Sequence, residues 1–68
     1  MIIETADFGE ASKRAREMPV AYVSMVTQLG KWIVADEPIF NPNQKIIVYR
    51  DGHPDEFICG LDGRHVKL

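Results

Sequence analysis

The sequence predicts a small α+β domain in which one amphipathic helix covers one face of a mostly antiparallel, meandering sheet. Three observations support this fold class. The chain has 68 residues, which is enough for one domain spanning 1–68. One segment repeats its apolar residues at helical spacing and stops at Pro19. The remainder consists of short runs rich in β-branched residues, separated by turn residues. The predicted order is β-α-β-β-β-β-β.

The first two elements lie before Pro19. The apolar run at residues 1–4 is too short for a helix and predicts a strand. Asp7 with Glu10 three residues later resembles a capping box, which predicts the start of a helix. Pro19 ends that helix, because proline disfavours helical dihedrals in the residue before it. The apolar face of the predicted helix consists of Phe8, Ala11, Ala15 and Met18.

Five strands are predicted after Pro19. The first, residues 20–27, is apolar on both faces and therefore predicts a central strand. A continuous helix from Asp7 to Gln28 is the rival interpretation, and Pro19 argues against it. The other four strands are separated by turns that contain glycine or proline, with Asp-Gly at 51–52 and 62–63. These strands are predicted at residues 31–36, 44–50, 55–59 and 64–67.

The strand register, and hence which side chains face the helix, is the open question. A slip of one residue exchanges the two faces of a strand. We expect the helix to pack on Ile3, Val23, Ile33, Val48 and Ile58. The opposite face would then present Trp32, Tyr49 or Tyr22, depending on register. The loop from Glu37 to Asn43 contains Ile39 and Phe40, and it covers this second face if it folds back over the sheet.

Composition and charge favour a folded cytoplasmic protein. Hydrophobic residues make up 46% of the chain and its formal net charge is −2, so it lacks the basic surplus typical of nucleic-acid-binding proteins. No apolar run approaches the about 20 residues of a membrane helix, and the N-terminus carries no secretory signal pattern. Cys59 is the single cysteine, which excludes a disulfide within the chain and fits a reducing compartment.

Two polar clusters contain residue types that enzyme or metal chemistry uses. The first contains Asp51, His53, Asp55 and Glu56, whose spacing matches neither a calcium loop nor a zinc site. Turn chemistry accounts for its residue types. The second pairs Cys59 with His65 across the last turn, which is half of a zinc ligand set and lacks a third catalytic group. We therefore predict a protein that is not an enzyme, with no catalytic residues, metal or cofactor.

Aromatic and cationic residues on the predicted strands form the candidate binding set. Aromatic rings on an open sheet face with flanking cations can stack single-stranded bases, so a single-stranded nucleic-acid-binding domain is the alternative function. The acidic net charge works against it. The set consists of Trp32, Tyr49, Tyr22, Lys31, Lys45, Arg50 and Arg64.

The favoured function is protein binding or regulation through a sheet face or an edge strand. One helix leaves part of a five- or six-stranded sheet uncovered, and apolar surface there would meet another protein or a second copy. Homodimer and monomer are weighed equally, because small cores gain from a second subunit. In size and layout the chain resembles phage- and prophage-encoded inhibitors of host proteins, anti-CRISPR proteins included. That resemblance rests on no shared motif, and it implies inhibition of a host protein complex.

Overall fold

The fold consists of one helix on one open antiparallel sheet of six strands. The computed structural model describes residues 1–38, 40–41, 43–60 and 64–67. The α+β class, the element order and the mostly antiparallel sheet are confirmed. No helix in these described ranges has the length and apolar character needed to span a bilayer. The elements are β1 (Ile2–Thr5), α1 (Phe8–Arg16), β2 (Val20–Val26), β3 (Lys31–Ala35), β4 (Lys45–Arg50), β5 (His53–Cys59) and β6 (His65–Lys67).

Both ends of α1 follow from the sequence signals. The Asp7 side chain accepts a hydrogen bond from the Glu10 backbone N–H at 3.1 Å, which satisfies one of the free amides of the first turn. The reciprocal half of the predicted capping box does not form: the Asp7 N–H donates to Thr5 Oγ1 at 3.3 Å, and the Glu10 carboxylate accepts from Arg14 Nε at 3.1 Å. At the other end Glu17 caps the helix, two residues before Pro19.

The strand order across the sheet is β1-β3-β2-β4-β5-β6. β1 and β2 both pair antiparallel with β3, so β1, α1 and β2 form a β-α-β unit with β3 inserted between its strands. β4 pairs with β2 rather than with β3. The connection from β3 to β4 therefore crosses over β2, and together with the β1–α1–β2 connection it departs from a simple meander.

The helix side, meaning the sheet face on which α1 packs, has a core built on small helix residues. Ala11 and Ala15 are fully buried against the sheet, where a larger side chain would hold the helix away. Tyr49 is 2% exposed, and its hydroxyl donates to Ser12 Oγ of the helix at 3.1 Å. The cluster beneath the helix also contains Ala21, Val23 and Val34, with Ile3, Met18, Trp32 and Ile47 packed around it.

The far side, meaning the opposite sheet face, has its own core. Ile46, Val48 and Cys59 are buried there, and Phe40 of the β3–β4 connection packs against them. The connection is fixed to the sheet by Ser24, whose hydroxyl donates to the Lys45 carbonyl and accepts from Gln44 Nε2, each at 2.8 Å. The chain thus covers the centre of its second face, as the loop alternative anticipated. The sequence leaves this cover undecided; of the two apolar residues named for it, Phe40 packs on the far side and Ile39 lies outside the described residues.

Register accounts for the other differences from expectation. Ile3 and Val23 pack under the helix as expected. Ile33 pairs with Ser24 and Glu4, and Val48 pairs with Tyr22, which places both apolar residues on the far side. Their predicted contact with α1 is wrong. Side chains along a strand point alternately to the two faces, and the adjacent residues Val34 and Tyr49 are the ones that face the helix. Ile58 lies on the helix side, opposite Lys45.

The turn between β4 and β5 is tighter than predicted. Asp51 and Gly52 have φ values of 51° and 82°, so both central residues adopt the left-handed conformation of a two-residue hairpin turn. β5 consequently begins at His53 instead of at residue 55. The prediction that this strand starts only after Pro54 is wrong.

Truncating Phe40 tests whether the crossing connection holds the far-side core. We expect Phe40→Ala to lower the free energy of unfolding by about 1.5–3 kcal/mol, because a half-buried aromatic ring is removed from its contacts. Urea unfolding followed by Trp32 fluorescence measures the change. Leu29→Ala is the matched control, since Leu29 is exposed in the β2–β3 turn. Equal midpoints for the two variants would contradict the assignment.

Candidate functional site

The helix covers only part of its sheet face. α1 contacts β1, β3 and β2, and touches β4 more lightly. A helix is about 10 Å across, whereas six strands spaced about 4.8 Å apart span more than twice that width. On the helix side, α1 therefore reaches β4 only in part, through Tyr49, and the outer strands β5 and β6 lie beyond it.

A groove of about 280 Å³ lies where this cover ends. Its floor is apolar, formed by Val23 and Met25 of β2 and Ile47 of β4. Trp32 of β3 forms one wall, and Lys45 and Glu56 lie at the opposite rim. We name this surface, with these six residues, the helix-side groove.

An aromatic pair stands at the wall of the groove. The rings of Phe8 and Trp32 are tilted against each other with centroids 4.6 Å apart. Phe8 is 41% exposed although it begins the helix that covers the sheet. Two aromatic rings in an edge-to-face or tilted arrangement attract each other beyond the effect of the area they bury. This attraction favours the observed geometry of the pair, which is partly open to solvent.

Charge at the rim of the groove is balanced. Lys45 Nζ lies 3.9 Å from Glu56 Oε1, and both side chains are largely exposed. Solvent-exposed pairs of this kind add little to stability. Their effect is to leave the rim neutral, so the groove attracts neither strongly acidic nor strongly basic ligands.

The predicted aromatic residues do not share one open surface. Trp32 lines the groove, but on the helix side, so its expected place on the uncovered second face is wrong. Tyr49 also faces the helix and is buried beneath it, which removes its ring from any ligand. Tyr22 lies on the far side, where its ring contacts His65 with centroids 5.5 Å apart. β2 and β6 are three strands apart, so this contact indicates that the sheet curls toward the far side.

The predicted cations are dispersed as well. Lys45 is the member of the set that lines the groove. Lys31 and Arg50 lie on the far side, at positions that alternate with Trp32 and Tyr49. Arg64 precedes β6 and carries an interaction of its own. The set therefore forms no basic surface around Trp32.

The two polar clusters are also separated by the fold. Asp51 lies in the turn, Glu56 faces the helix side, and His53 and Asp55 face the far side. Cys59 and His65 are cross-strand partners on the far side, where the His65 ring contacts Phe57 and Tyr22. Within the described ranges, no three His, Cys, Asp or Glu side chains lie close enough to hold a metal ion.

The sequence did not single out Met25 and Ile47 as site residues, it named Glu56 only within a polar cluster, and it placed Phe8 on the apolar helix face without its contact to Trp32. Alternation along β2 and β4 places Met25 with Val23 and Ile47 with Tyr49, so either face assignment would have grouped them. The missing information was the width of sheet that one short helix can cover.

Comparison with known proteins gives no functional assignment. No protein-family model, no curated protein and no solved structure matches this chain.

Labelling of Cys59 tests the buried environment of the far-side core. Cys59 is 4% exposed, and burial raises the pKa of its thiol. We expect 5,5′-dithiobis(2-nitrobenzoate) to react with the folded protein at least about tenfold more slowly than with the chain in guanidinium. Equal rates in the two states would contradict the burial of this thiol.

The same shift predicts a pH dependence of stability. The unfolded chain loses the thiol proton at a lower pH than the folded chain. The free energy of unfolding should therefore fall as the pH rises above the ordinary pKa of a thiol. Below that pH, Cys59 should add no pH dependence to the free energy of unfolding. Cys59→Ala is the control, and its stability should decline less over this alkaline range.

Proposed function

We propose that this protein is a small non-enzymatic binding domain that uses the helix-side groove to bind another protein. The observation that carries the proposal is the apolar floor of Met25 and Ile47 beside the exposed Phe8–Trp32 pair. Aromatic anchors at the edge of an apolar depression are typical of the residues that dominate protein–protein binding energy. Their removal from water would supply the driving force for association.

The groove favours a helix of the partner as its occupant. Its floor is a sheet face, which presents side chains and no free backbone donors or acceptors, so strand addition is not possible there. An amphipathic helix lying beside α1 would complete the helical layer over β4 and β5, in the way that two-layer domains cover a sheet. The paired Lys45 and Glu56 at the rim suit a partner helix with both charge signs along its flank.

A protein partner is favoured over a single-stranded nucleic acid by the placement of the cations. Base stacking on Trp32 would need positive charge along the path of the phosphate backbone. Lys45 is neutralised by Glu56, and Lys31 and Arg50 face away from the groove. The geometry adds no support for the nucleic-acid alternative.

We extend the proposal to the place and mode of action. A free, buried Cys59 fits the reducing environment of the cytoplasm. A domain this small would act by occupying a surface of a larger protein complex, as an inhibitor or regulator of the phage type does. Occupation of a surface needs binding and no chemistry.

Charged substitutions in the groove test the proposed function. We expect Ile47→Lys and Phe8→Lys to abolish capture of a specific partner from cells of the source organism, and to weaken binding of the purified partner by more than about tenfold. The physical reason is that each lysine would be desolvated against an apolar partner surface. Since Trp32 is the only tryptophan, the shift of its emission on titration of the partner reports occupancy of the groove directly.

Leu29→Lys is the matched control, because Leu29 is exposed in a turn away from the groove. It should capture the same partner as the unmodified chain. Circular dichroism and urea unfolding verify that each variant is folded, and Phe8→Lys covers the case in which Ile47→Lys is not. A partner that binds all three variants equally would contradict the proposal. Salt-sensitive binding of a single-stranded oligonucleotide that Trp32→Ala removes would favour nucleic acid instead.

A further inference from the structure

The two edges of the sheet differ in how they are protected from pairing with another chain. β6 is three residues long and carries Lys67, whose Nζ lies 3.6 Å from Asp55 Oδ1. Short edge strands and lysines are devices that prevent edge-to-edge association. β1 has four residues with neither lysine nor proline. Met1, just before it, and Ile2, its first residue, are 68% and 59% exposed, so the β1 edge combines backbone groups that have no partner among the described residues with apolar side chains.

The free backbone groups of β1 belong to alternate residues. The Asp36 N–H donates to the Met1 carbonyl at 3.4 Å, which makes Met1 and Asp36 a hydrogen-bonded pair of the β1–β3 ladder. Alternation along the strand then directs the backbone groups of Ile3 and Thr5 toward β3. The N–H and C=O groups of Ile2 and Glu4 consequently point outward, away from the sheet.

The start of β1 is fixed by a second contact with the same residue. The Met1 amine donates to Asp36 Oδ1 at 2.9 Å, and this hydrogen bond lowers the pKa of the Asp36 carboxyl. Both contacts tie the strand to β3 on its inner edge. The outer edge is therefore held in the conformation of a paired strand.

We infer that β1 pairs antiparallel with β1 of a second copy of this chain, forming a two-fold symmetric dimer with one continuous sheet. A two-fold axis perpendicular to the sheet keeps each face continuous, so only residues of the same face can oppose each other. That condition leaves the registers centred on Ile2, Ile3 or Glu4. The arrangement uses residues outside the helix-side groove and does not rest on the proposed function.

One of these registers satisfies all the outward groups. With Ile3 opposite Ile3 of the second copy, Ile2 lies opposite Glu4 in two equivalent pairs. Each pair exchanges two backbone hydrogen bonds, which gives four in total. Centring on Glu4 would set two carboxylates directly opposite each other, and like charges in that position destabilise a sheet. Centring on Ile2 would leave Glu4 beyond the end of the strand unpaired. The register centred on Ile3 is thus the one that pairs all the outward backbone groups and keeps the two Glu4 carboxylates apart.

The dimer presents two helix-side grooves on the same face. Because the axis is perpendicular to the sheet, both copies of α1 lie on one side of the joined sheet. A partner with two matching segments would be bound at both grooves, and the second binding event would benefit from the high effective concentration. Dimerisation through β1 would raise the avidity of the domain without changing the contacts in either groove.

Opposite charges at residue 2 test both the dimer and its register. Sedimentation equilibrium of the full chain from about 10 μM to about 1 mM covers the range expected for a short edge interface. We expect the unmodified chain to form a dimer in this range. Ile2→Lys should tighten it about three- to tenfold, because each lysine would oppose Glu4 of the second copy. Ile2→Glu should weaken it by a similar factor, and added salt should reduce both effects.

The matched pair makes the inference falsifiable, since residue 2 is exposed and either substitution leaves the core intact. Monomers throughout the range for both the unmodified chain and Ile2→Lys would overturn the inference. Equal shifts in the same direction for the two variants would overturn it too, as would growth into assemblies larger than a dimer, which indicates pairing of β1 with β6. Ile47→Lys should leave the dimer unchanged, so failure of the dimer and failure of groove binding are read separately.

Discussion

The sheet is apolar on both faces, and every other feature of this domain depends on how the chain covers both. β2 shows the constraint most clearly, because Ala21 and Val23 are buried on one face while Ser24 and half-buried Tyr22 lie on the other. A strand of this kind is stable only when each face meets another layer. Burial of the two clusters supplies the main driving force available to a chain of 68 residues.

The two faces are covered by unlike means. α1 covers the helix side with two alanines that allow close approach, whereas the far side is covered by Phe40 on a connection that has no regular structure in its described residues. The crossing of this connection over β2 explains why β3 and β4 are not neighbours. Ser24 stabilises the crossing with a pair of hydrogen bonds, which is also why a hydroxyl is tolerated at 2% exposure in the far-side core.

Local chemistry made the elements predictable, and the lack of local information made the register unpredictable. Asp7 and Pro19 bound the helix through backbone effects that act within a few residues. Whether Val48 or Tyr49 faces the helix depends instead on which neighbour β4 pairs with, and that neighbour is set by a crossover rather than by a hairpin. The sequence thus identified Trp32 and Lys45 as candidate site residues. It could not place them on the helix side or separate them from Tyr49 and Arg50.

Pro54 shows how a correct rule can mislead when the register is unknown. A proline normally argues against a strand, so β5 was expected to begin after it. The two-residue turn at Asp51 and Gly52 makes Arg50 and His53 the closing hydrogen-bonded pair. Pro54 then occupies the next, non-hydrogen-bonded position opposite Tyr49, where its missing N–H would have pointed away from β4. In the described residues β6 pairs with Phe57–Cys59, beyond Pro54, so no described ladder bond is lost on that side.

The uncovered part of the helix side extends from the helix-side groove to β5. The first four residues of this strand are exposed, and two of them, Pro54 and Glu56, face the helix side, whereas Ile58 near its end and the exposed Val66 of β6 are apolar. Glu56 lies at the rim of the groove. The uncovered surface therefore consists of an apolar floor beside an aromatic pair and, further out on β5 and β6, of Ile58 and Val66. The floor differs from the outer residues in its surroundings: it is bordered by the Lys45–Glu56 pair at one edge and by aromatic rings at the other, and an apolar centre within a polar rim is the layout of protein interfaces.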